Sequence, residues 1–568
     1  MDVAIVVTLV LLVALLLFPK LFAAQEEAGL TADANGDGQV TLADYAGKKI
    51  GTITGVNYDQ IVEQCVPGAS IEYYSNYPDL VVALKAGLID AFIIDEPALD
   101  VVMMEDPTIG KLPEPLETWQ MTFAFSGVSE IRNLQQQMNA FVHMITEDGT
   151  LSQIQDVWFG KDEDAKTIPP LDSLTAENGT VRVALETTYA PIVYIKDQKI
   201  VGYEIDILYR FCDYYHYGLE LMDMQFDAVL PAVTSGKCDI GASGLEYNDE
   251  HADSVKMSDP HLTAHTSLAV PAADLPGGAE LAGQGEKGGL IEQFKRSFEK
   301  NFIQESRWQL IVRGIDTTIK ITVLAALFGT LLAFGICLLR RTDSKLANPI
   351  CDLYVNIIQG MPLVVLLMIL FYVVFSGSKM DSVWVAVIGF TLSFGASATE
   401  IMQSGLNSID PGQEEAALSL GYTKNQAFFR FLYPQAAVRF MPVYRGELVT
   451  LLNDTSIVGY IAVQDLTKMS DIIRSRSYEA FLPLIVSTLI YFLLARLITM
   501  LLDSLQKRIR PKRHRKHAGG ERHEHDRGRA PSQGVSQHHS AEGCLHRDQQ
   551  GRRDFHHRPL RHGKVHLP

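Results

Sequence analysis

The sequence predicts an α/β region of two lobes followed by an all-α bundle of transmembrane helices. Strand-like and helix-like segments alternate between residues 48 and 270, which is typical of an α/β fold. From about residue 320 apolar runs recur, each near the roughly 20 residues that cross a bilayer. The 568-residue chain is 47% hydrophobic and carries a formal charge of -18, and its acidic residues concentrate in the first half. This asymmetry predicts two compartments, and the acidic half argues against nucleic acid as a partner.

Residues 1–24 form a hydrophobic leader. The run VAIVVTLVLLVALLLF, residues 3–18, predicts either a secretory signal peptide or an uncleaved membrane anchor. Asp2 replaces the usual basic start, and no small-x-small cleavage site follows, which favours the anchor. In either case we expect the α/β region to be exported.

The linker at residues 25–47 contains the segment DANGDGQVTLAD, which has the spacing of a calcium loop. Gly38 falls at position 6, where such a loop turns sharply. Oxygen-bearing side chains fall at positions 1, 3, 5, 7, 9 and 12, namely Asp33, Asn35, Asp37, Gln39, Thr41 and Asp44. The last of these is shorter than the common glutamate and no clear helix precedes the loop, so a solvated turn is the alternative.

Two segments make up the α/β region. Residues 48–160 open with GKKIGTITG and end with DVWFG, whereas residues 179–270 contain GYEIDI and SGKCDIGASG. Residues 161–178 link the two segments. Residues 271–304 are rich in Gly and Pro at their start, which predicts a flexible tether to the membrane bundle.

Three cysteines, Cys65, Cys212 and Cys238, fall in the exported part of the chain. An oxidising compartment permits a disulfide between the last two. Buried free thiols are an equally good interpretation of the same residues.

Both α/β segments resemble the family-three extracellular solute-binding proteins, which are two-lobed periplasmic-binding-protein-like clamshells for amino acids and related amines. The GYEIDI segment comes first in that family, whereas here it comes second. One interpretation is a circular permutation within a single clamshell, which folds tolerate where chain ends lie close together. The alternative is two half-modules that complete each other between chains; we favour the single permuted clamshell.

The resemblance implies a ligand cleft between the lobes. Asp95, in IIDEP, matches the acid that pairs with a ligand amine, and a buried charge of this kind implies a cationic partner. Capping of the next helix is the alternative role for this residue. The other positions that match ligand contacts of the family are Thr54, Tyr189, Tyr194, Ser243 and Gly244.

Two departures from the family leave the solute open. His251 stands where the family has an arginine that grips the ligand carboxylate, and a neutral imidazole is a poorer carboxylate partner. Gly55, Val56 and Asn57 replace a Gly-Thr-Thr turn and lose its hydroxyl donors. We therefore expect a small polar or cationic solute, which includes amino acids, modified amino acids, amines and peptide-like molecules.

Five apolar runs predict about five membrane spans. They cover residues 320–339, 361–376, 383–402, 442–463 and 482–502. Lys and Arg follow the first span and form a basic C-terminal end at residues 506–522, which places these segments in the cytoplasm. The localisation that follows is a multi-pass cell-membrane protein with its α/β region outside.

A loop between the third and fourth runs carries the sharpest motif, IDPGQEEAALSLGYTKNQAFFRFLYPQA. Here residues 305–505 resemble the permease subunits of ATP-binding-cassette (ABC) importers for polar amino acids. The segments SATEIMQSGLNS, IQGMPLVVLLMILFY and LLNDTSIVGYIAVQDL also resemble that family. The matching loop positions are Glu415, Ala416, Ala417 and Gly421. The resemblance implies that this loop couples to a separate ATPase, that ATP is bound by that partner, and that the permease forms a homodimer; an ordinary amphipathic loop helix is the alternative.

Three functions are compatible with these features. The favoured one is an importer subunit whose tethered clamshell delivers solute to its own permease. A ligand-gated channel combines a similar clamshell with membrane spans, but it needs a pore filter between the lobes, and no such insertion is present. A transport-inactive ligand sensor is the third. No nucleotide-binding Walker motif occurs, so we expect neither an enzyme nor a resident cofactor other than calcium.

The tail at residues 523–568 has no apolar period, and 11 of the 16 histidines of the chain follow residue 513. Codons permitted by RPLRHGKVHL, read one nucleotide later, give GPSGTGKST, a phosphate-binding loop. The hypothesis is that the tail is a frameshifted, disordered reading of a gene immediately downstream that encodes the ABC ATPase. A His-rich, metal-binding tail is the alternative.

Overall fold

The computed structural model describes residues 40–509, apart from residues 55, 247–254, 276–289, 343, 377, 379 and 480. Four predicted features therefore lie wholly or mainly outside the described residues. These are the hydrophobic leader, most of the calcium loop, His251 and the C-terminal tail.

The described strands lie between residues 49 and 271. They are β1 (Lys49–Ile53), β2 (Ser70–Tyr74), β3 (Ala91–Asp95), β4 (Ile109–Lys111), β5 (Glu117–Phe125), β6 (Thr180–Leu185), β7 (Thr188–Tyr189), β8 (Val193–Lys196), β9 (Lys199–Val201), β10 (Gly218–Asp223), β11 (Ile240–Glu246), β12 (Lys256–Met257) and β13 (Leu262–Pro271). Ten of them form one mixed sheet in the order β10-β6-β11-β5-β13-β3-β1-β2, with β4 beside β13 and β12 beside β5. Strands β7, β8 and β9 form a small antiparallel sheet.

Helices cover the faces of the large sheet, which is why its central strands are apolar on both sides. All five residues of β3 are buried, for example. The helices of this region are α1 (Tyr58–Cys65), α2 (Tyr77–Lys85), α3 (Glu96–Glu105), α4 (Leu134–Glu147), α5 (Thr150–Trp158), α6 (Tyr203–Tyr214) and α7 (Phe226–Thr234). Asn76 begins α2 by accepting a hydrogen bond from the backbone N–H of Asp79, with Pro78 in the first turn.

Strands β5 and β13 connect two lobes. β13 pairs with β5 through residues 262–266 and with β3 through residues 266–269, and the far half of β5 pairs with β11. We call the part built on β1–β4 the early lobe and the part built on β6 and β10–β12 the late lobe. The two sequence segments thus pair within one chain, through two antiparallel strands that cross between them.

The lobes do not coincide with the two sequence segments. Helices α4 and α5 come from the first segment but pack against the late lobe. Trp158 donates to Asp206 at 3.0 Å, and the rings of Phe141 and Phe211 meet edge to face at 5.7 Å. Sequence order alone cannot show this exchange, because it depends on where β5 crosses between the lobes.

The membrane part is helical. Its helices are α8 (Leu290–Phe298), α9 (Trp308–Arg340), α10 (Ala347–Gln359), α11 (Leu363–Ile369), α12 (Ser382–Asn407), α13 (Gly412–Ser419), α14 (Lys424–Ala427), α15 (Tyr433–Asp454), α16 (Leu466–Ser477) and α17 (Phe481–Ile509). Among the described residues, three helices are long and apolar enough to cross a membrane, or up to four if a pair bent by 105° counts as one span. The three are α9, α12 and most of α17, and the bent pair covers residues 347–374.

The fourth predicted span differs from the observed helix. The run at residues 442–463 is divided between α15, which ends at Asp454, and a 3-10 segment, Thr455–Ile461. The helix α15 packs against α9, α12 and α17, and its Arg445 pairs with Asp503 of α17 at 2.6 Å. Polar groups that pair with a neighbouring helix explain why this run is less apolar than the others.

Candidate functional site

Asp95 lies at the end of β3, and its side chain is almost completely buried. Tyr58 donates a hydrogen bond to one carboxylate oxygen at 2.5 Å, while Tyr77, at 3.4 Å, and Tyr189 donate to the other. The side chain makes no capping bond to α3, so the capping alternative does not describe it. Burial raises the pKa of the Asp95 carboxyl to about 6, although the tyrosine hydroxyls act in the opposite direction.

A small cavity surrounds this carboxylate at the junction of the two lobes. Tyr58, Tyr77 and Asp95 line it from the early lobe, and the late lobe contributes residues that include Glu186 and Tyr189. The rings of Tyr77 and Tyr189 stack across the junction with their centroids 5.3 Å apart. The cavity volume is about 30 Å³, which is room for little more than a water molecule. A larger solute therefore requires the lobes or the tyrosines to separate.

Ser243 and Gly244 also line this cavity, at a bulge in β11. Both have positive φ, 91° and 71°, and their backbone N–H groups donate to the buried Glu204 at 2.6 and 3.1 Å. Ser243 Oγ accepts from the N–H of Glu186 at 2.7 Å and donates to its carbonyl at 3.0 Å. Through its two bonds, Ser243 Oγ holds the backbone of Glu186 beside the cavity.

Two residues matched to family contacts lie away from the cavity. The ring of Tyr194 lies edge to face with Trp158, and the guanidinium of Arg476 stands 4.6 Å from its centroid. Thr54 is exposed and donates to the carbonyl of Tyr74 at 3.2 Å. Neither residue is among the residues that line the cavity.

Several cavity residues were absent from the sequence-based set, and Tyr58, Tyr77 and Glu186 are the ones with titratable side chains. Glu186 follows β6 directly, and side chains at the carboxyl ends of parallel strands commonly reach ligand sites. That signal could have identified it. The two tyrosines follow turns at the starts of α1 and α2, and nothing in their local sequence separates them from ordinary core residues.

Only two members of the predicted calcium loop are described. Asp44 accepts from the backbone N–H and the hydroxyl of Thr41, at 2.9 and 3.0 Å, in the manner of a capping box. Among the described residues, no group of three or more His, Cys, Asp or Glu side chains is arranged to hold a metal ion. The calcium loop stays a prediction, since its other four oxygen donors lie outside the described residues.

The described cysteines are free thiols, so Cys212 and Cys238 are not joined. Both are buried, and burial raises the pKa of each thiol to about 12. Cys238 lies against Met222, with 3.4 Å between the two sulfur atoms.

The predicted coupling loop forms α13, a glycine turn and α14. Glu415 and Ala416 are exposed on α13, whereas Ala417 is buried. Gly421 ends the turn with φ +87°, which favours glycine, and no atom lies near the site of a Cβ. Arg341 fixes the loop to the end of α9 by pairing with Glu414 at 2.5 Å.

The outer surface of this loop is partly apolar. Leu418 is 38% exposed and Leu420 is 77% exposed. With Glu415 and Ala416 they form a surface that a soluble partner can contact.

A helical membrane bundle with an exposed loop helix, joined to a two-lobed α/β domain with a cleft, defines a class of membrane transport subunits served by a binding protein. Residues 325–514 match the family described as the binding-protein-dependent transport system inner membrane component. The arginine transport system permease protein ArtQ of Bacillus subtilis is 31% identical over 202 residues, which are 35% of this chain and 92% of the relative. The chain belongs to this family of ABC-transporter permeases through its membrane part.

Other relatives and solved structures are similar to parts of this chain. The L-cystine transport system permease protein TcyB of Bacillus subtilis is 30% identical over 211 residues, 37% of this chain and 90% of the relative. A solved amino acid ABC transporter with histidines is 28% identical. The match covers 39% of this chain and 100% of the transporter chain, with a TM-score of 0.34. A mutant of ArgBP from T. maritima is 11% identical, and the match covers 44% of this chain and 90% of the ArgBP chain, with a TM-score of 0.22.

Proposed function

We propose that this chain is the membrane subunit of an amino-acid importer that carries its own solute receptor. The two-lobed α/β domain captures a polar or cationic amino acid, or a related amine, and delivers it to the transmembrane helices of the same chain. The names of the relatives, which include permeases of arginine and L-cystine transport systems, support the amino-acid class. The α/β domain faces outside and the basic C-terminal end faces the cytoplasm.

The observation that carries the proposal is the position of Asp95. Its buried carboxylate lies between two lobes that two crossing strands connect, among three tyrosine hydroxyls. Among the described residues no lysine or arginine pairs with it. A buried carboxylate that lacks a fixed cation favours a cationic ligand group, because pairing stabilises the buried charge.

A separate subunit would supply the energy. The ATPase would contact Glu415, Ala416 and the exposed leucines of α13, and the rigid turn at Gly421 would pass its movement to α15. ATP would be bound by that subunit, the permease would act as a homodimer, and the gene immediately downstream would encode the ATPase. The DNA sequence beyond codon 522 tests the last point.

The test is uptake by the full chain in proteoliposomes together with the ATPase encoded downstream. L-arginine and L-glutamine, radiolabelled, are the probes, and ATP is enclosed on the side of the C-terminal end. We expect uptake against a gradient that requires ATP and is lost when hydrolysis is blocked. Flux without ATP would support the channel alternative, and binding without any flux would support the sensor.

A further inference from the structure

Helix α16 of the permease contacts both lobes of the α/β domain. Lys468, near its start, approaches the late lobe, where its Nζ lies 3.5 Å from Asp223 and 3.6 Å from Glu186. Arg474, near its end, pairs with Asp79 of the early lobe. A single short helix of the membrane part thus reaches charged groups on the two bodies whose relative movement opens and closes the cleft.

Lys468 is held as a cation in a buried position. Its side chain is 5% exposed, and Nζ also donates to the carbonyl of Met224 at 3.3 Å. Burial lowers the pKa of this ammonium group, but the carboxylates of Asp223 and Glu186 outweigh burial and raise its pKa. Asp223 has further partners, the side chain of Gln464 at 2.9 Å and the N–H of Thr187 at 3.1 Å.

Glu186 differs from Asp223 because it also lines the solute cavity, together with Asp95 and Tyr189. Glu186 thus lines the cavity and also carries the carboxylate that approaches the ammonium group of Lys468. A carboxylate that pairs with one ammonium group attracts a second one less strongly. Because of its position, Glu186 can pair strongly either with Lys468 or with an ammonium group in the cavity, but not with both.

We propose that Lys468 is a tethered cation of the permease that competes with the ammonium group of the solute for Glu186. This inference rests on the proposed importer function. When α16 is seated between the lobes, Lys468 neutralises Glu186 and lowers the affinity of the cavity for a cationic solute. When α16 withdraws, Glu186 becomes available and the receptor binds tightly. Release of solute is thereby linked to docking of the receptor on its permease.

The test compares solute affinity in the full chain, in lipid nanodiscs, between wild type and Lys468→Met. L-arginine is the probe, and isothermal calorimetry is the measurement. We expect the variant to bind about tenfold more tightly, within the usual range of coupling between two sites. ATP-driven uptake with the ATPase should fall by a similar factor, because the release step is lost. Lys468→Arg keeps the charge and should retain both properties near wild type.

Lys300→Met is the matched control. Lys300 also joins the membrane part to the α/β domain, through Glu105 at 3.3 Å, but Glu105 does not line the cavity. We expect its affinity and uptake to match those of wild type. A tenfold change in this control would mean that any loosened contact between the parts alters affinity, and the competition would be refuted.

A double-mutant comparison separates competition from misfolding. In a Glu186→Gln chain, Lys468→Met should no longer alter the affinity for L-arginine, because the shared carboxylate is gone. If the single variant Lys468→Met, which keeps Glu186, binds L-arginine no more tightly than wild type, the inference is overturned while the importer function stays intact. If wild type and all variants bind neither L-arginine nor L-glutamine, the proposed function fails, and the inference fails with it.

Discussion

The carboxylate of Asp95 is surrounded by tyrosine hydroxyls, which can donate hydrogen bonds but cannot neutralise it. Asp95→Asn should therefore weaken the binding of a cationic probe such as L-arginine by about 2–5 kcal/mol, as for loss of one partner of a buried charge pair. Asp59→Asn is the control, since Asp59 is an acid on the same lobe that does not line the cavity and accepts from the exposed Tyr73 and from the backbone N–H of Gln60. Calorimetry of the full chain measures the affinity of both variants for L-arginine. An affinity of Asp95→Asn equal to that of wild type would disprove the assignment of Asp95.

The same residue predicts a pH dependence. Because the pKa of Asp95 is raised to about 6, the group becomes neutral in the empty cavity as the pH falls below that value. Affinity for L-arginine should be constant above pH 7 and should fall by up to about tenfold per pH unit well below pH 6. Titration of affinity from pH 8 to pH 4.5 tests this. A profile without a break near pH 6 in wild type would contradict it, and Asp95→Asn should remove the break.

In the proposed importer, coupling to the ATPase would depend on an element, the α13–α14 turn, rather than on any one contact. Gly421 has φ +87°, a conformation that β-branched residues rarely adopt. Gly421→Val should strain the turn, lower uptake at least about tenfold and leave L-arginine binding unchanged. Asparagine tolerates positive φ, so Gly421→Asn should lower uptake much less. Uptake assays on proteoliposomes and binding on the same preparations give the comparison. Loss of binding in Gly421→Val would instead indicate global misfolding.

The sequence predicted elements well where the signal was local. The apolar runs located the long helices α9, α12 and α17, and the GKKIGTITG segment located β1 and its turn. The fourth run is less apolar because α15 carries polar residues, such as Arg445, that pair with a neighbouring helix, and hydropathy cannot register such a pair. Tyr194 matched a ligand contact of the family by position, yet in this chain its ring faces Arg476 of the permease.

At the scale of the whole molecule, the missing information was long-range. Lys468 and Glu186 are separated by about half of the chain, and no sequence spacing connects them. No sequence spacing connects Arg474 with Asp79 either, and none predicts the placement of α4 on the late lobe. The fold class and the family could be predicted from composition and motifs. The contacts between the α/β domain and the membrane part could not be predicted, since they form between surfaces that come from distant parts of the sequence.

The crossing strands make a prediction for the receptor as a unit. β5 and β13 pair with each other and with strands of both lobes, so residues 40–275 contain the complete ten-stranded sheet. We expect this segment to fold alone as a monomer with one solute site, because all of its strand partners are internal. Light scattering gives its mass, and calorimetry gives the number of L-arginine sites. Without α16 it should also bind at least as tightly as the Lys468→Met chain. A domain-swapped dimer, or binding only after a second chain is added, would instead support the two half-modules that complete each other between chains.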